Sequence, residues 1–588
     1  MMRVWAKGRP DCVVESYRSG LRQWGFGAGV VLGCWLGLVA VASPAQAEGH
    51  QAGAERAAMV QQWAPYEITF TAAREYADAY TDVDVYVTFT GPGGITLRRP
   101  AFWDGGKIWR VRFAAPVMGR WSWRSSSSEP GDAGLEGKTG ALFVGPYRGG
   151  NPLVAHGLLT MSPGKRNVMH ADGAPFLLVG DTAWSLPWRG TPEAVRIYAQ
   201  DRHRKGFDAT LLMSLQPDRK AVGPRDRVSP GGFDVAFEDL PDGHLLRMNA
   251  EYFKRMDRLM TLLIEYGIVP VYQPVFQGFG WKGLEPLGYK GLDVAEYARY
   301  CRYLVARYGA QPAMWLVSAD NNGLQPAVEA GGEEIYKWDA YHQPVGIHYS
   351  PRDGDASAPA PFKGEEPHHN RSHQDAEWLN FQWAQTGHEG VHNVSKVSLM
   401  HDNLPTKAVA NGEPTYEGIS DPKRAAGWWQ GNEAWSNLTA GGTMGVVYGV
   451  AALWQWKLFP NEPGWGKWAQ DGESWRTALN KEGSTYVGLV QKAFAGYDFL
   501  DMTKHAELAG GRPCVAVPGR FYVVYLEAGG EVALTGLKEG LAYRWFDPKT
   551  GEWTEGGRTS GVEMKVKAPS EGPWVLFVGA RGGAGSGR

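Results

Sequence analysis

Between Phe176 and Val450 the chain repeats one pattern eight times: a short apolar run, then a helical period or a turn-rich loop. The runs are Phe176–Gly180, Ala209–Met213, Val269–Gln273, Met314–Ala319, Val345–Tyr349, Leu379–Trp383, Ala408–Gly412 and Gly445–Val450. Short runs rich in Val, Ile and aromatic residues read as buried strands, and alternating strand–helix units build parallel sheets. Eight such units predict a closed (β/α)8 barrel. The helix ends are well marked. Thr191-Pro192-Glu193 supplies an N-cap with Pro at the first helical position, and Gly206 stops that helix. Asn249 opens a helix with Phe253, Met256, Met260 and Leu263 on one face, and Asp293 with Glu296 forms a capping-box pattern before the next. The polar, Pro-rich stretch 351–375 predicts a long rim loop.

The flanks have a different period. Residues 60–148 alternate apolar and polar, as in Tyr66-Glu67-Ile68-Thr69-Phe70 and Trp109-Arg110-Val111-Arg112-Phe113, with Gly-rich turns between runs. That is the pattern of an Ig-like antiparallel β-sandwich. Residues 149–152 are a linker, and 153–500 hold the barrel. Alternation returns over 505–580, as in Phe521–Leu526, Tyr543–Phe546 and Trp574–Val578, predicting a second small sandwich. The expected fold is multidomain, a central TIM barrel between two β-sandwiches.

The amino terminus reads as an export signal. Arg3, Lys7, Arg9, Arg18 and Arg22 precede an uncharged stretch to Ala47, which includes Val30–Val39 and ends in Ala45-Gln46-Ala47. Cleavage after Ala47 would leave a secreted or periplasmic protein with no membrane segment; an uncleaved anchor helix is the other reading. Cys301 and Cys514 would remain, in no metal-type spacing, so both read as buried thiols. A formal net charge of −2 excludes a broadly basic nucleic-acid surface. The 26 Trp and 25 Tyr matter more, because sugars stack their C–H faces on aromatic rings.

Two runs end in carboxylates. Asp320 follows Trp315–Ala319, and Glu413 follows Val409–Gly412, 93 positions further on. A barrel unit takes about 31 residues if the whole fold takes ~250, so the two acids sit three units apart at the C-terminal rim, where barrel enzymes keep their chemistry. A carboxylate pair across that mouth is the equipment of glycoside hydrolysis. Glu417 is a rival to Glu413.

Gly180-Asp181-Thr182-Ala183-Trp184, Gln385-Thr386-Gly387-His388 and Gly412-Glu413-Pro414-Thr415-Tyr416-Glu417 together resemble the apiosidase-like glycoside hydrolases. The flanks agree: Tyr80–Val85 and Arg99–Gly106 match the family's amino-terminal sandwich, and Trp545–Gly551 matches its carboxy-terminal sandwich, a type labelled collagen-binding. The resemblance implies a retaining hydrolase of oligo- or polysaccharides with no cofactor and no catalytic metal. It implies Asp320 as acid/base and Glu413 as nucleophile, with Asp181, Trp184, His348, Gln385, His388 and Trp454 around the substrate. Ser318-Ala319-Asp320-Asn321-Asn322 departs from the family's pattern, which has glycines before its Asp.

Two other functions have sequence features behind them. His388-Glu389-Gly390-Val391-His392 matches the H-E-x-x-H motif of zinc peptidases, which needs both His on one helical face, and two glycines flank and interrupt it. His368, His369 and His373 sit in the polar loop without regular spacing and read as solvated. A non-catalytic carbohydrate- or matrix-binding protein is the third function, against which the pair of strand-end acids argues.

Overall fold

All eight apolar runs pair in one parallel sheet in the computed structural model, which describes residues 57–582 apart from 217–234, 276–291, 351–370, 389–391, 393, 420–425, 461 and 463–471. In chain order the barrel strands are Leu178–Thr182, Ala209–Met213, Val269–Gln273, Met314–Asn321, Val345–Tyr349, Phe381–Gln385, Ala408–Glu413 and Gly445–Tyr448. They are called strands one to eight below. Each pairs in parallel with its sequence neighbour from one through seven, and strand eight pairs with strand one. Between strands seven and eight, the Met444 N–H donates to the Val409 carbonyl at 3.1 Å, which all but closes the ring.

Alternation sorts the side chains into two cores. Leu178, Leu211, Val271, Met314, Leu316, Phe381, Trp383, Ala408 and Ala410 fill the barrel interior. Leu177, Val179, Leu212, Tyr272, Trp315, Val317 and Val409 point outward against the helices. Below the barrel, Pro152–Ala155 is helical, and strands Leu159–Met161, Val168–His170 and Pro175–Phe176 form a small antiparallel sheet. Its Leu159, Val168 and Phe176 join the interior core and plug the floor. Phe176 therefore belongs to this floor, and strand one begins at Leu178. Strand six likewise begins at Phe381, because Trp378 and Leu379 are spent in the outer core.

The helix caps act as read, except that Glu296 does not complete a capping box: its carboxylate accepts from the Leu245 N–H at 2.7 Å and lies 3.1 Å from His244 Nδ1. Thr191 Oγ1 accepts from the Ala194 N–H, and Gly206 ends Pro192–Lys205 at φ 96°. Asn249 caps Ala250–Glu265, and Asp293 caps Val294–Tyr308 through two backbone N–H groups.

In the amino-terminal region a five-stranded sheet faces a three-stranded one across Val87, Phe89, Val111, Phe113 and Trp121. It is tied to the barrel helices by ion pairs, with Asp257 accepting from both Arg112 and Arg307. The carboxy-terminal region has a six-stranded and a two-stranded sheet. Its Tyr525, Phe546 and Phe577 pack on Trp435 of the helix Trp428–Thr439. Cys301 and Cys514 are buried free thiols. Among the described residues no helix is long and apolar enough to cross a membrane. The expected export signal and most of the 351–375 loop, with His368 and His369, lie outside the described residues.

Candidate active site

Both strand-end acids sit where the strand pairing is broken. Strand four slips twice against strand five, between Leu316 and Ser318 and again between Ser318 and Asn321. Asp320 lies inside the second slip at φ 58°, a left-handed conformation that non-glycine residues adopt at a cost. Bulges at barrel rims re-aim side chains, and this one brings forward a carboxyl on a stem one methylene shorter than that of Glu. Strand seven slips once, so that Ala384 pairs with Asn411 while Gln385 pairs with Glu413, leaving Gly412 as the extra residue. In unbroken alternation from Ala408 and Ala410, Glu413 would point at the helices; the extra residue turns it toward the mouth.

Gly412 is needed there for space. A Cβ at this position would lie 2.6 Å from the Trp383 Cβ. Gly412→Ala is therefore expected to push Glu413 out of register, with a loss of about 10²-fold in turnover, the effect of roughly 1 Å of misplacement. Steady-state kinetics on the folded variant would check it.

Asp320, His348 and Glu413 each bring one polar atom within 4.8 Å of the other two. Glu413 is 6% exposed and faces two imidazoles: His388 Nε2 hydrogen-bonds Oε1 at 3.0 Å, and His348 Nε2 lies 3.3 Å from Oε2 without hydrogen-bond geometry. The Tyr416 N–H donates to His388 Nδ1 at 3.3 Å, so the ring's proton sits on Nε2 and is donated to Glu413. Burial by itself would raise the Glu413 pKa; His348 and His388 outweigh it and hold the carboxyl below its usual range. Asp320 goes the other way. Burial, then the adjacent Glu413 charge, pushes it well above the usual range, and His348, His388 and the Gln385 amide only partly offset this. Two carboxyls so close cannot both ionise cheaply, and the donors have been given to Glu413.

Trp184, after strand one, closes one side. Its ring lies edge-on to His348, with centroids 5.8 Å apart, and its indole N–H donates to the Tyr416 hydroxyl at 2.8 Å. Asp320 Oδ1, His348 Nδ1 and Gln385 Oε1 are buried and have no hydrogen-bond partner among the described residues. Such atoms suit a ligand rich in hydroxyls. Trp454 follows strand eight, is half-buried and packs against the same interior core as Trp184. Of the residues read from the sequence, Asp320, Glu413, His348, Gln385, His388 and Trp184 come together directly.

Asp181 does not join them. It lies within strand one, on the outward parity of Leu177 and Val179, and its Oδ2 accepts from Arg202 Nε at 2.6 Å with both side chains fully buried. The expected substrate contact is instead a tie between strand one and the helix Pro192–Lys205. Glu417 is also committed elsewhere, to the Tyr448 hydroxyl at 2.6 Å and the Gly427 and Gly483 N–H groups.

The H-E-x-x-H motif is not on a helix where it is described. His388 turns to Glu413, His392 packs on Trp429, and the next helix starts only at Val394; Glu389–Val391 lie outside the described residues. The group among the described residues whose ligand atoms would suit a cation is Asp320, His348 and Glu413, which does not contain His392. His373 Nε2–H donates to the Gly323 carbonyl at 2.8 Å, and its ring lies tilted against Trp378. Tyr416, which bonds Trp184 through its hydroxyl and His388 through its N–H, stands in the Gly412–Glu417 motif without a residue type that singles it out.

The family model for the apiosidase-like catalytic domain matches residues 162–501, more than half of the chain. The protein belongs to the apiosidase-like family. A second model, a domain of unknown function (DUF5060), matches residues 59–128, within the amino-terminal sheets. A comparison with curated proteins found no match. Among solved structures, the chain is similar to a protein from Bacteroides vulgatus provisionally named a glycoside hydrolase, at 17% identity and TM-score 0.63, covering 89% of this chain and 99% of that one. It is also similar to a family 5 glycoside hydrolase from Bacteroides vulgatus, at 19% identity and TM-score 0.59, covering 73% and 95%. These likenesses are of fold. The apiosidase-like barrel thus carries its two rim acids on bulged strands.

Proposed function

We propose that this apiosidase-like protein is an exported retaining glycoside hydrolase acting on a plant, algal or microbial polysaccharide or its oligosaccharides. The observation that carries the reading is the pair Asp320 and Glu413: two carboxyls within 4.8 Å, with protonation pushed in opposite directions. Retaining enzymes need carboxyls about 5–5.5 Å apart, whereas inverting ones leave about 6.5–9.5 Å for a water. Glu413, ionised, attacks the anomeric carbon. Asp320, protonated, gives its proton to the leaving oxygen, then removes one from the water that releases the sugar. Trp184 offers a flat face at the site, and Gln385 and His348 offer hydrogen bonds to sugar hydroxyls. Trp454, whose carbonyl accepts from the Ser185 N–H at 2.8 Å, is assigned to the Trp184 side of the same subsite.

The test is a screen of purified protein against plant and algal polysaccharides, apiose-containing ones first in view of the family's name, for released reducing sugar with and without chelator. Sugar release that survives chelation is expected. Release abolished by chelator would transfer the chemistry to a metal at Asp320, His348 and Glu413, and cleavage of peptides without sugars would end the reading.

The pH profile follows from the two shifts. Activity requires Glu413 ionised, so the acid limb falls only as pH drops through its lowered pKa. It requires Asp320 protonated, so the basic limb falls as pH rises through its raised one. The profile of kcat/KM is expected to be a broad bell. Its acid limb should lie below the ordinary Glu value of about 4.3, and its basic limb above the ordinary carboxyl range. An acid limb above that value would contradict the assignment of Glu413.

A further inference from the structure

A third acid lies behind the pair without touching it. Glu433, on the helix Trp428–Thr439 that follows strand seven, is 1% exposed. Its Oε2 accepts from the Thr415 N–H at 3.1 Å, and its Oε1 lies 3.1 Å from Thr386 Oγ1 and 3.4 Å from Thr415 Oγ1. Thr386 stands two residues before His388, and Thr415 two residues after Glu413. One carboxyl therefore spans the segments that carry the imidazole and the carboxylate it holds.

The hydrogens in this network can be assigned. A threonine hydroxyl has one to give. Thr415 Oγ1 donates to the Gly387 carbonyl at 3.2 Å. The Asn411 amide is best satisfied with its nitrogen facing the Ala384 and Glu413 carbonyls, at 3.2 Å each, and its oxygen accepting from Thr386 Oγ1 at 2.9 Å. With both threonine hydrogens directed there, the 3.1 Å contact between Thr386 Oγ1 and Oε1 is one that a protonated Glu433 makes as the donor. Burial acts in the same sense, pushing the Glu433 carboxyl up to about 7; the Thr415 N–H bond only partly opposes it, and His388 is the ionisable neighbour that faces it.

We propose that Glu433, held as the neutral acid, is a positioning residue. It clamps Thr386–His388 to Thr415–Tyr416, so that the Tyr416 N–H fixes His388 Nδ1 and His388 Nε2–H is aimed at Glu413. The sequence signal is a polar stripe, Gln430, Glu433 and Asn437, on the buried face of one helix. The catalytic consequence rests on Glu413 as nucleophile; the clamp itself does not.

The test uses the whole chain labelled with ¹⁵N-histidine, in which the His388 resonances report the tautomer and His388→Gln assigns them. The wild type is expected to show the Nε2–H form. Glu433→Ala is expected to lose it, to cut kcat by roughly 10–100-fold, the range for a lost outer partner, with KM little changed, and to move the acid limb of kcat upward. Glu433→Gln, which keeps a neutral donor and acceptor, should restore the tautomer and the limb. Glu433→Ala with the tautomer and acid limb of the wild type would overturn the proposal, even if its melting temperature falls. If Glu433→Ala does not fold, the proposal stands on Glu433→Gln retaining the Nε2–H form and fails if that variant shows the other tautomer. Should the wild type hydrolyse no glycoside, the proposed function fails and the NMR result still judges the clamp.

Discussion

Asp320→Ala is expected to lose about 10²–10⁴-fold in turnover on a substrate whose leaving group needs a proton, the usual contribution of a general acid. At 1.36 kcal/mol per tenfold, that is about 3–5 kcal/mol of transition-state stabilisation. On a dinitrophenyl glycoside, whose leaving group departs without help, the first step should be nearly spared and the glycosyl-enzyme should accumulate as a burst. Glu413→Ala should lose at least as much and lose it on both substrates, because no leaving group replaces a missing nucleophile. The two variants are thus separated by their response to leaving-group quality and not by the size of the defect. Equal sensitivity in both would mean that the roles of acid and nucleophile have been wrongly divided.

Asp181→Ala is expected to cost stability and spare chemistry. Its partner Arg202 is fully buried, also pairs with Asp201, and lies over the rings of Tyr198, Phe207 and Tyr448. Removing one member of a buried pair costs about 3–5 kcal/mol where the charge is left uncompensated; Asp201 still holds Arg202, so the loss is expected at about 3 kcal/mol. Urea denaturation should show that loss as a lower midpoint, while kcat/KM below the transition stays within a few-fold of wild type. An unchanged midpoint with a tenfold rise in KM would return Asp181 to the substrate site.

The contrast between Asp181 and Glu413 shows where sequence reading succeeds and where it stops. Eight apolar runs, their caps and the spacing of two strand-end acids were legible, because burial and capping leave one-dimensional patterns. Side-chain direction at a strand end was not. Asp181 reads as a rim residue through the family resemblance and a run that ends at Gly180; strand one continues to Thr182, and its parity sends Asp181 to the helices. Glu413 has the wrong parity for the barrel mouth and reaches it only through the slip at Gly412. Nothing in the residue types announces a bulge, although a Gly directly before a rim acid is the kind of residue a bulge needs. Tyr416 and Glu433 were harder still. Their roles depend on which neighbours the strand-six and strand-seven segments bring together, and those neighbours are distant in the chain.

The retaining assignment of Asp320 and Glu413 is tested most directly by azide rescue of the two alanine variants on a dinitrophenyl glycoside, with the anomeric configuration of each glycosyl azide read by NMR. In Glu413→Ala, azide takes the place of the nucleophile and should give a product of inverted configuration. In Asp320→Ala, azide takes the place of water at the glycosyl-enzyme and should give a product of retained configuration. The same configuration from both variants, or wild-type turnover in either without azide, would contradict the mechanism.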